Sequence, residues 1–429
     1  ISEENRLTKA ERSAYFARRE AAKVLRKVLQ GDARRRASGS IKSLVYSPTV
    51  RNKKATFALV CQTLKYLPVI QNVMKEAKVL NSISKKPKEL MYIIAYDLLF
   101  GQESLLKGDA ENILLQKKKA INSALSRILI HKGVNEVDDL LSFPKIPREQ
   151  KPRYVRVNTL SIDSESAIRE LSKKYEVLRD ELVTDLLILP PGTDLHNHPL
   201  VINGSLFLQG KASSMAAVAL SPRPGWDIID ACAAPGNKTL HLAALVKGKG
   251  RIIACERNQE RCKLLKHNVE LAGATNVEVN HVDFLSLDPL DSSYSRVRAI
   301  LVDPSCSGSG TASDRLDHLL PSSHGSSSNS ERARLQKLMF FQKKALLHAL
   351  AFPAVERIVY STCSVHRAEN EDVVSFVLDF ASSRGFRLAT AIPKWPRRGF
   401  PSFRGARRLL RTDPAVDREG FFIALFVRK

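Results

Sequence analysis

Residues 226–239 read WDIIDACAAPGNKT, and this stretch decides the fold. The run from Asp227 to Asp230 is typical of a buried strand, and a helical pattern begins at about Lys238. Between them, small residues and Gly236 let the backbone come close to a ligand, next to the electropositive N-terminus of the following helix. The stretch therefore predicts a strand, a tight turn and a helix arranged around a nucleotide-like ligand.

Strand and helix patterns alternate from residue 226 to about residue 380. Further strand-like runs are Arg251 to Cys255, Val277 to Asn280, Ala299 to Val302 and Ile358 to Tyr360, and helical patterns lie between them at about 238–247, 258–272, 332–351 and 368–380. This alternation predicts an α/β, Rossmann-like fold with a doubly wound sheet. FRLATAI (386–392) and FFIALFV (421–427) follow each other without an intervening helix, which predicts an antiparallel strand at the edge of the sheet.

Two smaller units are expected before this fold. Residues 1–141 carry apolar residues at helical spacing, as in KELMYIIAYDLLFG (88–101), and predict a basic, all-helical module in which Gly101 can end a helix. Residues 142–151 contain two prolines among charged residues and read as a linker. Residues 152–212 predict a small α+β unit, which leaves residues 213–429 for the Rossmann-like domain.

The loop after the first strand does not match the two common phosphate-binding loops. A Walker loop needs glycine immediately before the lysine, where this chain has Asn237, and a GxGxxG fingerprint is absent. Four acids follow the predicted strands: Asp230, Glu256, Asp283 and Asp303. Because carboxylates accept hydrogen bonds from hydroxyl and amino groups but repel phosphate, they favour a phosphate-free, cationic nucleoside such as S-adenosylmethionine. Each acid taken singly could instead cap a helix.

Six cysteines are present, without a CxxC pair or a histidine at zinc-finger spacing, so neither a disulfide framework nor a metal site is expected. Cys61, Cys255 and Cys262 fall on apolar faces and are expected to be small buried hydrophobes. Cys306 in DPSCSGSG and Cys363 in RIVYSTCS follow predicted strands and lie among Ser, Thr and Gly. A thiolate can be reached and stabilised in such loops.

A reachable thiolate beside a S-adenosylmethionine site suggests methylation of a pyrimidine. Carbon 5 of cytosine is too weak a nucleophile to take a methyl group unaided, whereas addition of a thiolate to carbon 6 raises its electron density. Asp303, close to Cys306, is placed to promote this addition at ring nitrogen 3. One cysteine suffices for the addition, and a second can assist release.

The net charge of +24 is concentrated in two flanks of the chain. Residues 1–60 hold 15 basic and 5 acidic side chains, and residues 384–429 hold 12 and 3. Two basic flanks around a near-neutral body favour a polyanion held at a catalytic centre, and a solvated basic surface without a partner is the alternative. Since no run approaches the roughly 18 apolar residues that cross a bilayer and no leader pattern is present, a soluble, unsecreted protein without a membrane partner is expected.

Three motifs in order resemble those of the Nop/Sun (NSUN) RNA cytosine-5 methyltransferases: DACAAPGNKT, DPSCSGSG, and YSTCS followed by Glu369-Asn370-Glu371. The resemblance runs from about Arg153 to the C-terminus. RYVRVNTL (153–160) is similar to the RNA-contacting segment of that family, and LFLQGKASS (206–214) to the stretch ahead of the methyltransferase fold.

The resemblance implies a role for each motif residue. Cys363 would be the nucleophile and Cys306 would assist product release, with Lys238 and Asp303 near the target base. The residues that would bind S-adenosylmethionine are Cys232, Ala233, Ala234, Pro235, Gly236, Asn237, Lys238, Glu256, Asp283 and Asp303.

The sequence departs from the common family pattern in three places. Most members read Asp-Ala-Pro-Cys where this chain has Asp303-Pro304-Ser305-Cys306, and a second glycine is replaced by Asn237. Both variants are similar to the branch of NSUN member five, which implies large-subunit ribosomal RNA (rRNA) as the substrate and the nucleolus as the location. Gly210 replaces an acid that usually follows the glutamine.

Three other functions remain open on the sequence alone. DNA cytosine methyltransferases use the cysteine of a Pro-Cys pair, and Ser305 in place of that proline argues against them. Transfer RNA is separated from rRNA as a substrate only by the resemblance. A ribosome-assembly factor with an inactive methyltransferase fold would have the same basic flanks, but every reactive position is filled here. The protein partners are not predicted.

Overall fold

A computed structural model describes residues 8–33, 41–47, 49–79, 87–101, 103–141, 151–311, 316, 319–321 and 328–428. The chain divides into two compact units, residues 1–147 with 312–327 and residues 148–311 with 328–429. Residues 142–150 of the predicted linker lie outside the described residues.

The described part of the first unit is built from helices. They are α1 Lys9–Ala33, α2 Ile41–Val45, α3 Lys53–Glu76, α4 Lys88–Phe100, α5 Asp109–Gln116 and α6 Lys118–Lys132. Their apolar faces meet in one core that includes Leu25, Leu64, Ile70 and Met91, all at most 1% exposed. Gly101 follows α4 as its C-cap, as predicted. The expected all-helical N-terminal module is confirmed.

A small antiparallel sheet begins the second unit. Its strands are β1 Arg153–Val157, β2 Leu178–Arg179, β3 Leu186–Leu189 and β4 Leu206–Phe207, in the order β2-β3-β1-β4. Helices α7 Ser164–Ser172 and α8 Pro199–Ile202 lie between the strands in sequence, and residues Val155, Leu171 and Leu187 form part of their common core. Helix α9 Lys211–Leu220 connects this sheet to the larger one.

The larger sheet has eight strands. They are β5 Asp227–Asp230, β6 Arg251–Cys255, β7 Val277–Asn280, β8 Val297–Val302, β9 Arg357–Thr362, β10 Phe386–Ala389, β11 Leu410–Thr412 and β12 Phe421–Arg428. The helices between them are α10 Asn237–Leu245, α11 Gln259–Leu271, α12 Ser328–Leu350 and α13 Glu371–Ser383. The strand order is β10-β12-β9-β8-β5-β6-β7, with β11 paired to β12.

Alternate residues along the strands pack into two different hydrophobic cores, one on each face of the sheet. Ile228 packs with α9, α10 and α11 on one face of the sheet, and Ile229 packs with α12 and α13 on the other. Strands β5 to β9 are parallel. The predicted α/β, doubly wound, Rossmann-like fold is confirmed.

The antiparallel strand lies one position inside the edge, which corrects the expected edge position. Strand β12 pairs antiparallel with β9 on one side, and with β10 and β11 on the other. Its run from Phe421 to Phe426 is buried throughout. Such a continuous apolar run suits an interior strand, because both faces and both edges are covered.

The strand order places a crevice at the carboxyl ends of β5 and β8. After β5 the chain moves to β6 and β7, and after β7 it returns to β8 on the opposite side of β5. Loops that leave β5 and β8 therefore diverge, which is where ligands bind in open α/β sheets.

Candidate active site

The crevice brings together residues from three strand ends. Lys238, in the first turn of α10, lies with its Nζ 2.8 Å from Oδ2 of Asp303, which follows β8. The other oxygen of Asp303 accepts a hydrogen bond of 2.7 Å from the Ser361 hydroxyl in β9. Burial by itself would lower the pKa of Lys238, but the adjacent Asp303 carboxylate raises it above its ordinary value, so the amine is held as a cation.

Two cysteines face each other beside this ion pair. Sγ of Cys306 lies 3.3 Å from Sγ of Cys363, and the carbonyl of Cys363 accepts a hydrogen bond from the Gly310 N–H at 2.9 Å. The hydrogen bond from Cys306 lowers the pKa of the Cys363 thiol, with Lys238 acting in the same direction. The same contact, together with burial, raises the pKa of Cys306 well above its ordinary value. Cys363 is therefore the better thiolate, and Cys306 is the proton donor.

The run Glu369-Asn370-Glu371 positions the loops that carry both cysteines. Glu369 Oε1 accepts hydrogen bonds from the Ser307 N–H and from Nε2 of Gln342, both at 2.9 Å, and so fixes the residue after Cys306. Asn370 accepts from the Thr362 hydroxyl at 2.5 Å and donates to the Ser364 carbonyl at 2.8 Å. These two contacts lie on either side of Cys363.

The sequence pattern did not assign these roles. The available signal was three consecutive polar residues at the start of an amphipathic helix, and all three are 0% exposed. The third, Glu371, forms a buried, two-pronged ion pair with Arg411 at 2.7 Å for each contact.

The loop 231–237 has the shape that the sequence predicts. Gly236 has a φ of +112°, which favours glycine, and a Cβ there would lie 2.9 Å from Cδ1 of Leu265. Helix α10 starts at the next residue, Asn237. The Pro235 carbonyl accepts a 2.8 Å hydrogen bond from Nδ2 of Asn268, and the Ala234 carbonyl accepts one from Arg261. The loop is thus held from α11.

Three of the four predicted acids act on one thiol. Burial raises the pKa of Cys232 well above its ordinary value, and the carboxylates of Asp230, Asp303 and Glu256 raise it further. Asp230 ends β5, Glu256 and Asp303 directly follow β6 and β8, and the charges of all three act on the half-buried Cys232. Asp230 is almost fully buried, and burial raises its pKa to about 6 although the Thr239 hydroxyl donates to it at 2.7 Å.

Asp283 and Glu256 also have local hydrogen-bond partners. Asp283 accepts a 3.0 Å hydrogen bond from the Leu285 N–H at the start of a short helical turn, and its Oδ2 lies 3.5 Å from Arg257. Asp283 therefore caps the helical turn Phe284–Ser286, which is the alternative role predicted for each single acid. Glu256 accepts a 2.8 Å hydrogen bond from the Asn258 N–H.

Cysteines outside the crevice are packed among apolar side chains. Cys255 and Cys262 are 0% and 3% exposed, and Cys61 is half-buried against the helical core. Within the described residues, no group of three or more His, Cys, Asp or Glu side chains is arranged to hold a metal ion. No described helix combines the length and apolar character that a membrane span requires.

The segment RYVRVNTL contributes less exposed surface than expected. Arg156 is 0% exposed, donates to Oε1 of Gln209 at 2.8 Å and reaches the Asn237 carbonyl at 3.5 Å. Asn158, also 0% exposed, donates to the carbonyls of Gly204 and Ala272, both at 2.9 Å. These two side chains join the small sheet to α10 and α11 and form no part of the exposed surface.

Position 210, where the family usually has an acid, lies beside a carboxylate from elsewhere in the chain. A Cβ at Gly210 would lie 2.3 Å from Oε1 of Glu419. The glycine leaves room for the carboxylate of Glu419 at the N-terminus of α9, where a negative charge is favourable.

Comparisons with known proteins agree with the motifs. Family models match residues 217–427 (16S rRNA methyltransferase RsmB/F), residues 54–141 (NOL1/NOP2/Sun domain family member 5, N-terminal domain) and residues 166–209 (its ferredoxin-like domain). The 25S rRNA (cytosine-C(5))-methyltransferase NSUN5 of Arabidopsis thaliana is 61% identical over 419 residues, which cover 97% of this chain and 74% of that protein. The chain belongs to the NSUN5 branch of the NSUN family.

Other relatives extend this result. A 28S rRNA (cytosine-C(5))-methyltransferase of Mus musculus is 41% identical over 413 residues, which cover 91% of this chain and 87% of that protein. The crystal structure of a methyltransferase homologue from Pyrococcus horikoshii superposes with a TM-score of 0.54 at 23% identity, covering 82% of this chain and 99% of that one, and shows the same fold. Membership of the NSUN5 branch confirms the predicted enzyme class, an RNA (cytosine-5-)-methyltransferase, and implies S-adenosylmethionine as the methyl donor.

Proposed function

We propose that the chain methylates carbon 5 of a cytosine in large-subunit rRNA through a transient covalent bond between Cys363 and carbon 6. One observation carries the mechanism: Cys363 lies 3.3 Å from a thiol that donates to it and close to the Lys238 cation, and both lower its pKa. A thiolate at this position is ready to attack an electron-poor ring.

The residues of the crevice fit S-adenosylmethionine. Asp230 has one buried oxygen, Oδ1, without a hydrogen-bond partner in the described structure, and the loop at Gly236 has no room for a Cβ. Hydrogen-bond acceptors for hydroxyl and ammonium groups are supplied by Asp230, Glu256 and Asp303. Asp283, the fourth acid, follows strand β7. We assign the loop residues Cys232, Ala233, Ala234, Pro235, Gly236, Asn237 and Lys238 to the same ligand. When bound, it supplies an electrophilic methyl group.

The protein side chains have distinct roles in the proposed reaction. As the Cys363 thiolate adds to carbon 6 of cytosine, ring nitrogen 3 takes a proton from water, Asp303 accepts a hydrogen bond from the new N–H, and Lys238 balances the charge of Asp303. Carbon 5 would then take the methyl group, and the sulfur of the bound ligand would keep the electron pair of the broken sulfur–methyl bond. Water then removes the proton from carbon 5, which restores the double bond and expels Cys363 as the thiolate, and ring nitrogen 3 gives back its proton. Cys306 assists this release from its position 3.3 Å away.

The substrate assignment rests on the relatives. The Arabidopsis and mouse proteins are named 25S and 28S rRNA methyltransferases, and both match this chain over more than nine-tenths of its length. We therefore propose large-subunit rRNA as the RNA partner and the nucleolus as the location. The domain boundaries at residues 141, 151 and 212 stay predictions.

Trapping with 5-azacytidine tests the mechanism and the substrate together. Nitrogen at ring position 5 blocks release, so cells grown with this analogue should accumulate enzyme bound covalently to large-subunit rRNA. Mass spectrometry of the digested adduct should find the nucleotide on Cys363. A nucleotide on Cys306 would contradict the assigned nucleophile, and adducts confined to transfer RNA would contradict the substrate.

A further inference from the structure

A cleft of about 290 Å³ lies in the second unit, and its walls include none of the proposed catalytic residues. Its walls include Lys151, Tyr154, Lys211, Trp395, Asp417 and Arg418. They come from the start of β1, the start of α9 and the segments on either side of β11. Its size is near the lower end of the range of small-ligand pockets, about 300–1,000 Å³, so it accommodates one small group and excludes a helix or strand.

The wall of the cleft is connected to the catalytic centre through β11, β12 and the segment between them: Thr412, in the wall, pairs with Phe421 in the sheet. Arg418 lies two residues before Gly420, whose N–H donates to the Gly310 carbonyl at 2.8 Å. Gly310 in turn donates to the carbonyl of Cys363 at 2.9 Å. The next residue, Phe421, has its ring 5.3 Å from Nζ of Lys238. The cleft wall and the catalytic centre are therefore joined through the end of β12 at Phe421.

The charged part of the cleft wall consists of cations and one carboxylate. Three cations, Lys151, Lys211 and Arg418, and one carboxylate, Asp417, give the lining a net positive charge. Lys211 is held 2.6 Å from Asp180, and Nζ of Lys151 donates to the Pro414 carbonyl at 2.8 Å. These contacts fix the positions of the cations.

The apolar part of the wall is rigid. Trp395 is 8% exposed, donates through Nε1 to the Arg411 carbonyl at 2.8 Å, and lies 5.6 Å from Nζ of Lys211. Asp417 is held by Arg397 through two contacts of 2.6 and 2.7 Å. A carboxylate has about four acceptor positions, so Asp417 keeps capacity for a hydroxyl or amino group.

The geometry points to a binding site for one unpaired nucleotide of the substrate RNA, next to the cytosine that is methylated. This inference rests on the proposed RNA substrate. The cations suit a phosphate, Trp395 and Tyr154 offer apolar aromatic surface to a base, and Asp417 accepts from a ribose hydroxyl or a base amino group. An apolar ligand would not use the charged groups of the wall, and a free phosphate would not use its aromatic side chains.

Val416 allows the inference to be tested without disturbing the fold. It lines the cleft and is 67% exposed, so replacing it removes no buried contact. Val416→Glu should raise the dissociation constant of a short single-stranded oligocytidylate about three- to tenfold, because it places a negative charge beside the bound phosphate. Val416→Lys should leave the affinity unchanged or raise it. Leu290→Glu, at a position 79% exposed in the connection that leads to the amino end of β8, adds the same charge outside the cleft and should change the affinity less than twofold.

A second measurement reports on the cleft directly. The chain has two tryptophans, so Trp226→Phe leaves Trp395 as the only indole. Oligocytidylate should change the Trp395 fluorescence with the same dissociation constant that anisotropy gives. Equal loss of affinity in Val416→Glu and Val416→Lys, or in Val416→Glu and Leu290→Glu, would overturn the cleft assignment. If the unmodified enzyme bound no RNA, the proposed RNA substrate would be contradicted as well. If the enzyme bound RNA but the cleft variants behaved alike, only the cleft assignment would be contradicted.

Discussion

Oε1 of Glu369 lies 2.9 Å from the backbone nitrogen of Ser307, 62 positions away in the sequence. This contact links the segment after Cys363 to the loop of Cys306. Since Glu369 also accepts from Gln342, one buried carboxylate sets the position of the thiol that faces the nucleophile. The arrangement of the two cysteines therefore depends on a residue that touches neither sulfur.

Glu369→Ala should separate this positioning effect from general destabilisation. The change leaves the part-buried Ser307 N–H without its partner, which costs about 1–3 kcal/mol, while the Gln342 amide keeps only its hydrogen bond to the Ser305 carbonyl. Because the Cys306 loop is released, the covalent intermediate with RNA should persist longer than in the unmodified enzyme. Glu369→Gln keeps an acceptor oxygen and is the matched control. Equal intermediate lifetimes in both variants and the parent would contradict the positioning role.

The reactivity of Cys363 should depend on the thiol of Cys306. Since Cys363 has a lowered pKa, its alkylation by iodoacetamide should rise with pH with a midpoint below pH 9, the ordinary pKa of a thiol. Cys306→Ala removes the largest cause of that lowering, so the midpoint should move to higher pH. Cys306→Ser keeps a donor and should move it less. Mass spectrometry of the Cys363 peptide measures the midpoint, and an unchanged midpoint in Cys306→Ala would count against the contact.

Cys306→Ala should also accumulate a covalent enzyme–RNA complex. If Cys306 assists release, its loss slows the last step more than it slows the addition by Cys363. A slowly migrating band should appear on a denaturing gel when the variant is incubated with S-adenosylmethionine and rRNA, and ribonuclease should remove it. The double variant Cys306→Ala/Cys363→Ala is the control and should form no band. Absence of the band in the single variant would show that Cys306 has another role.

The sequence predicted the elements of the larger fold and the strand ends at which the site residues lie. Each strand there is a short apolar run with a polar residue at its end, such as Asp230 or Asp303, and this pattern is local. The position of β12 inside the sheet depended on its pairing with β10, which a local pattern does not show. Contacts between distant segments, such as Glu419 beside Gly210, were likewise not predictable. The burial of Arg156 required knowledge of α10, which packs against it.

Asp230 should make stability depend on pH. Its folded pKa of about 6 exceeds the ordinary 3.8, so the folded protein binds the proton more tightly and loses stability as pH rises from about 4 to 6. The difference corresponds to roughly 3 kcal/mol above pH 6. Asp230→Asn removes this penalty and keeps an acceptor for Thr239, so the ligand-free variant should be more stable at pH 7.5 and equal to the parent near pH 4. Urea unfolding at both values checks this, and equal stability at pH 7.5 would contradict it.

The most direct test replaces the proposed nucleophile and reads the product. Large-subunit rRNA from cells whose only copy of the enzyme carries Cys363→Ala should show no 5-methylcytosine at the site that the parent enzyme modifies, when measured by bisulfite sequencing and nucleoside mass spectrometry. Cys61→Ala, in the helical module, should leave the modification intact. Normal methylation by a folded Cys363→Ala enzyme would contradict the covalent role of this cysteine.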